Sequence, residues 1–349
     1  MSCNVCLADV WSFFANGIQK KTLETMKKSL AAGLLFLSLH SLVPAYAADI
    51  VLKASHNANQ DEPYHTGMLR MSELLSEKTS GKAEIQVFSN AQLGDEMESI
   101  QGTQLGIVDI AVTANEVMAH FVPDMNVFSL PYLFMDADHM DRAASSEEIR
   151  NYVDEVLAEK GYRLLGLFFA GTRHIMSKEP INSIDDLSGM KIRTLNNPIH
   201  IDAFKAFGAN PTPMAYGELY GALETGVIDG AEAANTNYHA RRFFEVTPNW
   251  AMVGWVELVA PVIMGSAQFD ALPEDVRSAL LEAGAEAAEA QRQEYRDSDR
   301  NRFEELKKLD VNITFPDTEP FREASKKIYP DHVKTDAQKR LLEIVQSID

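Results

Sequence analysis

The sequence predicts a two-lobed α/β protein, and three observations carry that expectation. Strand-like and helix-like segments alternate through most of the chain, the rhythm of a mostly parallel sheet packed by helices. About 300 residues follow an N-terminal leader, more than one hydrophobic core usually absorbs. One late segment reads as a helix too long for either core, and so as a bridge between two.

The elements follow in order. Residues 50–56, IVLKASH, alternate as a half-buried strand does and end in polar side chains. Asp61 to Pro63 supply an N-cap and first turn for a helix that stops near Gly81. AEIQVF is the next strand, and residues 94–106 form a helix whose acidic first turn complements its dipole. VDIAVT reads as a buried strand, and residues 147–162 as an amphipathic helix. A second α/β unit begins near Arg173, with strands in GTRHIMSK and GMKIRTL and a helix over 197–208 that carries Pro198 in its first turn. GELYGALETG is a short helix and VIDGAEA a strand with a polar exit. Residues 253–264, VGWVELVAPVIM, are apolar and β-rich, long enough to cross from one lobe to the other. Pro273 opens the long helix, which runs to about Leu309. No internal repeat and no low-complexity linker is visible.

The leader is read from its parts. Met26-Lys27-Lys28 is a basic start, Leu30 to Leu39 an apolar stretch, and Pro44 to Ala47 a small-residue cleavage site. The expected mature chain begins at Ala48, with residues 26–47 as signal peptide and 1–25 upstream of the better start. The apolar stretch is too short for a membrane span. Cys3 and Cys6 fall in this leader, without the second pair a metal or redox site needs. An exported, cysteine-free chain fits a bacterial periplasm.

Charge narrows the partners. The chain has 32 Lys+Arg and 51 Asp+Glu; without the four lysines and two acids of the leader the balance is 28 to 49, or −21. That field repels nucleic acid and anionic lipid, so direct insertion into membrane and nucleic-acid binding are not expected. It also repels an anionic ligand, which therefore needs local cations.

Arg193 is the foremost such cation. It ends a strand and leads through Thr194 and Leu195 to Asn196, Asn197 and Pro198, a loop that suits a side chain fixed over a cleft or, alternatively, a surface arginine paired with a carboxylate. A guanidinium offers two parallel N–H donors that match a carboxylate's oxygens, which lysine cannot do. Arg173 lies at the expected crossing between lobes, as a second cation for the anion or as one side of a hinge ion pair. In the first lobe, ASHNANQDEPYH places His56, Asn57, Asn59, Gln60 and Glu62 at a strand end and helix start, where ligand contacts collect. His56, His65 and Glu62 suggest a metal, but no further ligand is assured, and no metal or other cofactor is expected. Glu96 in LGDEME and Asn115 in VTANE are further contacts to weigh against a helix-end charge and a turn. Glu257, alone in the apolar VGWVELVAP, needs a partner: a ligand hydroxyl, Arg173 or Arg193.

The stretches VFSNAQLGDEMESIQGTQLGIVDIAV, GMKIRTLNNPIHIDAFKAFGANPTPMAYGELYGALETGVIDGAEAAN and FDALPEDVRSALLEAG, in that order and spacing, resemble the solute-binding proteins of tripartite ATP-independent periplasmic (TRAP) transporters. The resemblance covers nearly all of residues 49–340. It implies a flytrap of two α/β lobes joined by crossing strands and one long bridging helix, with residues 48–172 and 260–300 in the first lobe and 173–259 and 301–349 in the second. It implies capture of a small organic acid, with no reaction performed, and delivery to the membrane subunits of a symporter. Arg193 matches the family arginine that pairs with the ligand carboxylate, Arg173 a second family arginine, and Asn235 a supporting asparagine. EAAN stands where many relatives have EN before proline, so Glu232, Asn237, Tyr238 and His239 remain alternatives in that loop. Tyr216 takes the place of a tryptophan found in binders of cyclic zwitterions, which argues against such a ligand and leaves Tyr216 to stack on a ligand ring or to pack in the core.

Arginine beside mixed Asn, Gln, Glu and His groups suits a uronate or other sugar acid, since hydroxyls want donors and acceptors together. A C4-dicarboxylate, clamped by Arg173 as well, is the alternative ligand. A sensory module for a receptor is the alternative role. No HExxH, GxSxG, P-loop or GxGxxG is present.

Overall fold

The computed structural model describes residues 48–348; the leader assigned above lies outside them. One sheet runs through the molecule in the order β2-β1-β3-β8-β4-β7-β5-β6, with β9 beside β8. At one end β1 (Ile50–Ser55) pairs in parallel with β2 (Ala83–Phe88) and β3 (Ile110–Val112). At the other, β5 (Lys191–Thr194) pairs in parallel with β6 (Asn210–Pro213) and β7 (Gly230–Ala233). Between them run two long antiparallel strands, β4 (Tyr162–Ser177) and β8 (Asn249–Gly265). β9 (Asn312–Thr314) adds to the start of β8.

Both long strands cross from one half to the other. Residues 262–264 of β8 pair with β3, while residues 174–177 of β4 pair with β7. The second unit therefore does not begin afresh near Arg173: its first strand is the continuation of one that started at Tyr162. Register shifts lie at Phe169/Thr172 and Arg173/Ile175, where the ladder bends. Gly171 sits there at φ +91°, and a Cβ on it would lie 2.4 Å from the Cβ of Ala234, so no other residue fits.

The helices are α1 (Pro63–Lys78), α2 (Glu96–Leu105), α3 (Asn115–Met118), α4 (Ala137–Ser145), α5 (Glu147–Ala158), α6 (Pro198–Ala206), α7 (Leu219–Thr225), α8 (Asn235–Ala240), α9 (Ser266–Ala271) and α10 (Glu274–Leu306). Three more close the chain: α11 (Glu319–Lys326), α12 (Tyr329–His332) and α13 (Asp336–Gln346). α10 has 33 residues, about 50 Å at 1.5 Å per residue. It packs on α1 and β4 in one half and on α8 in the other, which is the bridge its length predicted.

That bridge also protects an edge. Residues 162–170 of β4 have β8 on one side and no strand on the other. Gln291 of α10 takes the strand's place: its Oε1 accepts from Phe169 N at 2.8 Å and its Nε2 donates to Phe169 O at 2.9 Å. Arg292 donates to Leu167 O, and Asp154 accepts from Leu164 N. Polar side chains thereby blunt an edge open to foreign strands. Gln291→Ala is expected to leave both Phe169 groups unpaired, at about 1–3 kcal/mol each, and a urea titration measures the loss.

The two halves repeat one another, contrary to the expectation of no internal repeat. Gly106-Ile107-Val108-Asp109 and Gly226-Val227-Ile228-Asp229 end α2 and α7 in the same way, with glycine at φ +70° and +75°. Asp109 accepts from Lys53 N at 2.7 Å, and Asp229 from Lys191 N at 2.8 Å, tying each turn to the central strand of its half. Beyond β3 and β7 both chains continue Ala-Asn into a helix, at Asn115 and Asn235. Only a few residues carry the repeat because only the turn and the strand exit demand particular side chains.

The C-terminal segment, expected as a whole in the second half, divides its contacts. Phe321 of α11 packs edge-on against Phe207 after α6. α13 reaches the other half, where Tyr152 donates to Ala337 O at 2.6 Å and Thr335 to Asp124 at 3.0 Å.

Candidate ligand-binding cleft

The parallel strands of both halves end on a shared cleft, the usual place for ligands in open α/β sheets. Its inner chamber, about 50 Å³, is lined among others by Asn57, Glu62, Glu96, Arg173, Arg193 and Tyr216. The chamber also takes Asn237 and Tyr295 and widens into an outer cleft of about 610 Å³ that adds Asn90, Asp95 and Arg241.

Arg193 leaves β5 with its side chain 1 % exposed. Its Nε and one terminal nitrogen both donate to Met214 O, at 3.1 and 2.8 Å, and the other terminal nitrogen donates to Glu232 at 3.0 Å. Five N–H groups less these three bonds leave one N–H on each terminal nitrogen without a protein acceptor among the described residues. Arg173 is more fully used. It donates to Glu232 Oε2 at 2.6 Å, to Ala170 O, to Asn237 Oδ1 at 2.9 Å and to Glu232 O, so that one N–H remains.

Glu232 itself is fully buried, bridging the two guanidiniums with one oxygen each. Its counterpart in the repeat, Val112, packs in the core. One carboxylate between two cations leaves a positive charge over, which is the local cation an anion needs in so acidic a chain. Glu96 lies opposite, accepting from Ala114 N at 2.6 Å. Burial pushes its carboxyl up to about 6, against the Ala114 N–H and Arg193, which favour the charged form.

Of the residues read from the sequence, the structure brings Arg193, Arg173, Glu96, Tyr216 and Asn237 together in the inner chamber, with Asn57 and Glu62 beside them. Six others stand elsewhere. Asn235 is held between Trp250 Nε1 and Asp299 of α10, at 2.9 and 2.8 Å. Asn115 is buried, donating to Met125 O and Ser129. Tyr238 stacks on Trp250 at 4.2 Å and donates to Thr247 O. His56 bonds His65 at 3.1 Å, and burial with His65 beside it pushes its imidazole down to about 3. Glu232 lies beneath the arginines, outside the lining of either chamber.

Glu257 is the sixth, and its partner is neither arginine but Thr172, whose hydroxyl donates at 2.7 Å. Burial raises its carboxyl to about 8. A raised acid favours the folded state below its unfolded value near 4.5, and that advantage is lost as pH rises through 8. Glu257→Gln keeps the acceptor for Thr172 and is expected to stabilise the protein at pH 7 by about 3 kcal/mol. Urea unfolding at pH 5 and pH 8 checks this: the gain should grow with pH.

Sequence reasoning missed Tyr64, Tyr295 and Arg241. Tyr295 is the only tyrosine of α10, a signal that was readable once that helix was placed along β4. Arg241 lay in a run of charged and aromatic residues that nothing local distinguishes; its guanidinium lies over the Tyr216 ring at 4.9 Å.

The sequence profile of DctP, the bacterial extracellular solute-binding protein family 7, matches residues 54–336. The chain belongs to that family of TRAP periplasmic solute-binding proteins. This DctP-family protein is 30 % identical over 284 residues to the sialic acid-binding periplasmic protein SiaP of Vibrio cholerae, covering 81 % of this chain and 88 % of that one. It resembles the crystal structure of a TRAP solute-binding protein from Roseobacter denitrificans with bound β-D-glucuronate, at TM-score 0.81 and 29 % identity. That match covers 86 % of this chain and 100 % of the other. One from Sulfurospirillum deleyianum with bound succinate matches at TM-score 0.80 and 29 % identity, with the same coverage, 86 % and 100 %. The DctP-family protein is a binder and not an enzyme. Among the described residues no helix is long and apolar enough to cross a membrane, and no group of three His, Cys, Asp or Glu is placed to hold a metal.

Proposed function

We propose that this DctP-family protein captures a uronate or a closely related sugar acid in the periplasm and delivers it to the membrane subunits of a TRAP transporter. The observation that carries the reading is the pair of unfilled N–H donors on Arg193, one on each terminal nitrogen, in a chamber of mixed donors and acceptors. The ligand carboxylate takes that pair, with Arg173 adding charge from behind. Glu96, Asn57, Asn237 and the buried Tyr216 hydroxyl, all lining the chamber, offer acceptors and donors to the ligand hydroxyls. The outer cleft holds the rest of a six-carbon chain, for which the inner chamber is too small. Glu232 acts through Arg173 and Arg193, and Asn235 ties the start of α8 to Trp250 of β8 and Asp299 of α10. Residues 26–47 export the chain and Ala48 begins the mature protein. The lobes divide near residue 172 of β4, beside its register shifts against β8, and near residue 260 of β8, with α13 travelling with the first.

A C4-dicarboxylate is the second reading, supported by the succinate-bound relative. Against it, four of Arg173's five N–H groups are already bonded within the protein, which leaves little of it for a second carboxylate. Thermal-shift screening against D-glucuronate, D-galacturonate, aldonates, succinate and neutral hexoses tests the choice, because a ligand of the folded state raises the melting temperature. Uronates should give the largest shift. A response to succinate alone would move the assignment to dicarboxylates, and a response to neutral hexoses alone would remove the arginine–carboxylate pair.

A further inference from the structure

Glu62 stands at the start of α1, yet its side chain makes no capping bond to that helix. It is 2 % exposed, and a carboxylate so buried must be partnered. One partner is local, Asn59 N at 2.7 Å. The other two come from across the cleft: Asn237 Nδ2 at 2.6 Å and Arg241 Nε at 3.3 Å, from α8 and the residue that ends it. Arg241 also donates to Asn57 O at 2.9 Å. Asn237 turns its oxygen toward Arg173 at 2.9 Å and the Tyr295 hydroxyl at 3.2 Å. One carboxylate of the β1–β3 half is thus satisfied mostly by the β5–β7 half, and it reaches an anion-facing arginine through a single amide.

We propose that Glu62 is a positioning residue for solute capture, clasping Asn237 and Arg241 across the cleft so that the closed state, and with it the residence time of the solute, depends on this contact. The inference rests on the cleft being the solute site and adds a closing contact separate from the Arg193 pair. Separation of the halves breaks both cross-cleft bonds and the Arg241–Asn57 bond together. Each break leaves a charged group to find water, so the clasp opposes opening whichever acid is bound. Glu62 needs no contact with the solute to do this; it holds the residues that enclose it.

Stopped-flow binding of D-glucuronate to the exported protein tests the proposal with Glu62→Gln, which keeps the shape and an acceptor but removes the charge. Dissociation should accelerate by about tenfold while association stays within about twofold, since closing contacts act on the off-rate. Arg241→Gln should match it, and the double variant should be no worse than either single one. Spin labels at Gln101→Cys and Glu224→Cys, exposed on α2 and α7, give a second readout by electron-paramagnetic distance measurement. The label distances of Glu62→Gln should shift toward longer values, with or without ligand. Unchanged distances together with an unchanged off-rate would overturn the clasp, as would additive losses in the double variant. Failure of the wild type to bind D-glucuronate would instead overturn the sugar-acid reading, and the label distances alone would then decide on Glu62.

Discussion

Arg193→Ala is expected to weaken capture of D-glucuronate by roughly 10²–10⁴-fold, the loss of two charged hydrogen bonds at about 1.5–3 kcal/mol each. Isothermal calorimetry measures it directly. Arg193→Lys keeps a cation in the same place but cannot present two parallel donors while also holding Met214 O and Glu232. It should recover only part of the loss. Arg193 is also structural, because it is one of two cations on a fully buried carboxylate. The alanine variant should therefore melt at lower temperature than wild type, and affinity must be measured where circular dichroism shows it folded. Affinity of Arg193→Ala within about tenfold of wild type would remove the residue from the site.

Glu232→Ala should be more damaging to the fold. It strips the shared counter-ion from Arg173 and Arg193, both buried, and breaking a buried ion pair from one side costs about 3–5 kcal/mol. Urea denaturation gives that figure, and binding should fall as well because neither guanidinium is then held in place. Glu232→Gln preserves volume and one acceptor but turns an amide N–H toward the other arginine, so it should fall between alanine and wild type. A variant as stable as wild type would mean that water or a neighbouring group replaces the carboxylate, and the two arginines would then not depend on Glu232 as counter-ion.

The elements were legible where local chemistry dictates them. The strand alternation of residues 50–55, Pro63 at the head of α1, Pro198 at the head of α6 and the acidic first turn of α2 all depend on near neighbours in the chain. The cleft position of Arg193 was legible only with the family's order of motifs, since a strand tail running into Asn-Asn-Pro equally suits a solvated arginine. The unreadable parts involve pairs distant in sequence. β4 extends back to Tyr162 because β8 lies beside it for its whole length, and no residue near 162 announces that. Glu257 was expected to meet a ligand hydroxyl or an arginine, but the bend between Phe169 and Thr172 sets a protein hydroxyl, that of Thr172, opposite it. Asn235 and Tyr238 were assigned toward the cleft, while α10 and Trp250 draw them to the other side.

By itself, the sequence determined that this is a strongly acidic α/β chain of the TRAP solute-binding type, with an arginine at the end of a strand as its candidate anion-binding group. Those properties follow from composition, periodicity and short-range turn chemistry, which act over a few residues, and from the order of motifs that marks the family. Only the tertiary structure decided which polar groups line the cleft and which spend themselves on one another. Glu232 lies in β7 and Asn237 in α8, the helix that follows it directly, so close in sequence that no pattern separates them. Their roles diverge because Glu232 points between Arg173 and Arg193, whereas Asn237 reaches past Arg173 to Glu62 on the opposite half. Burial forces every such charge to find a partner, and the partner is set by what the fold brings within about 3 Å.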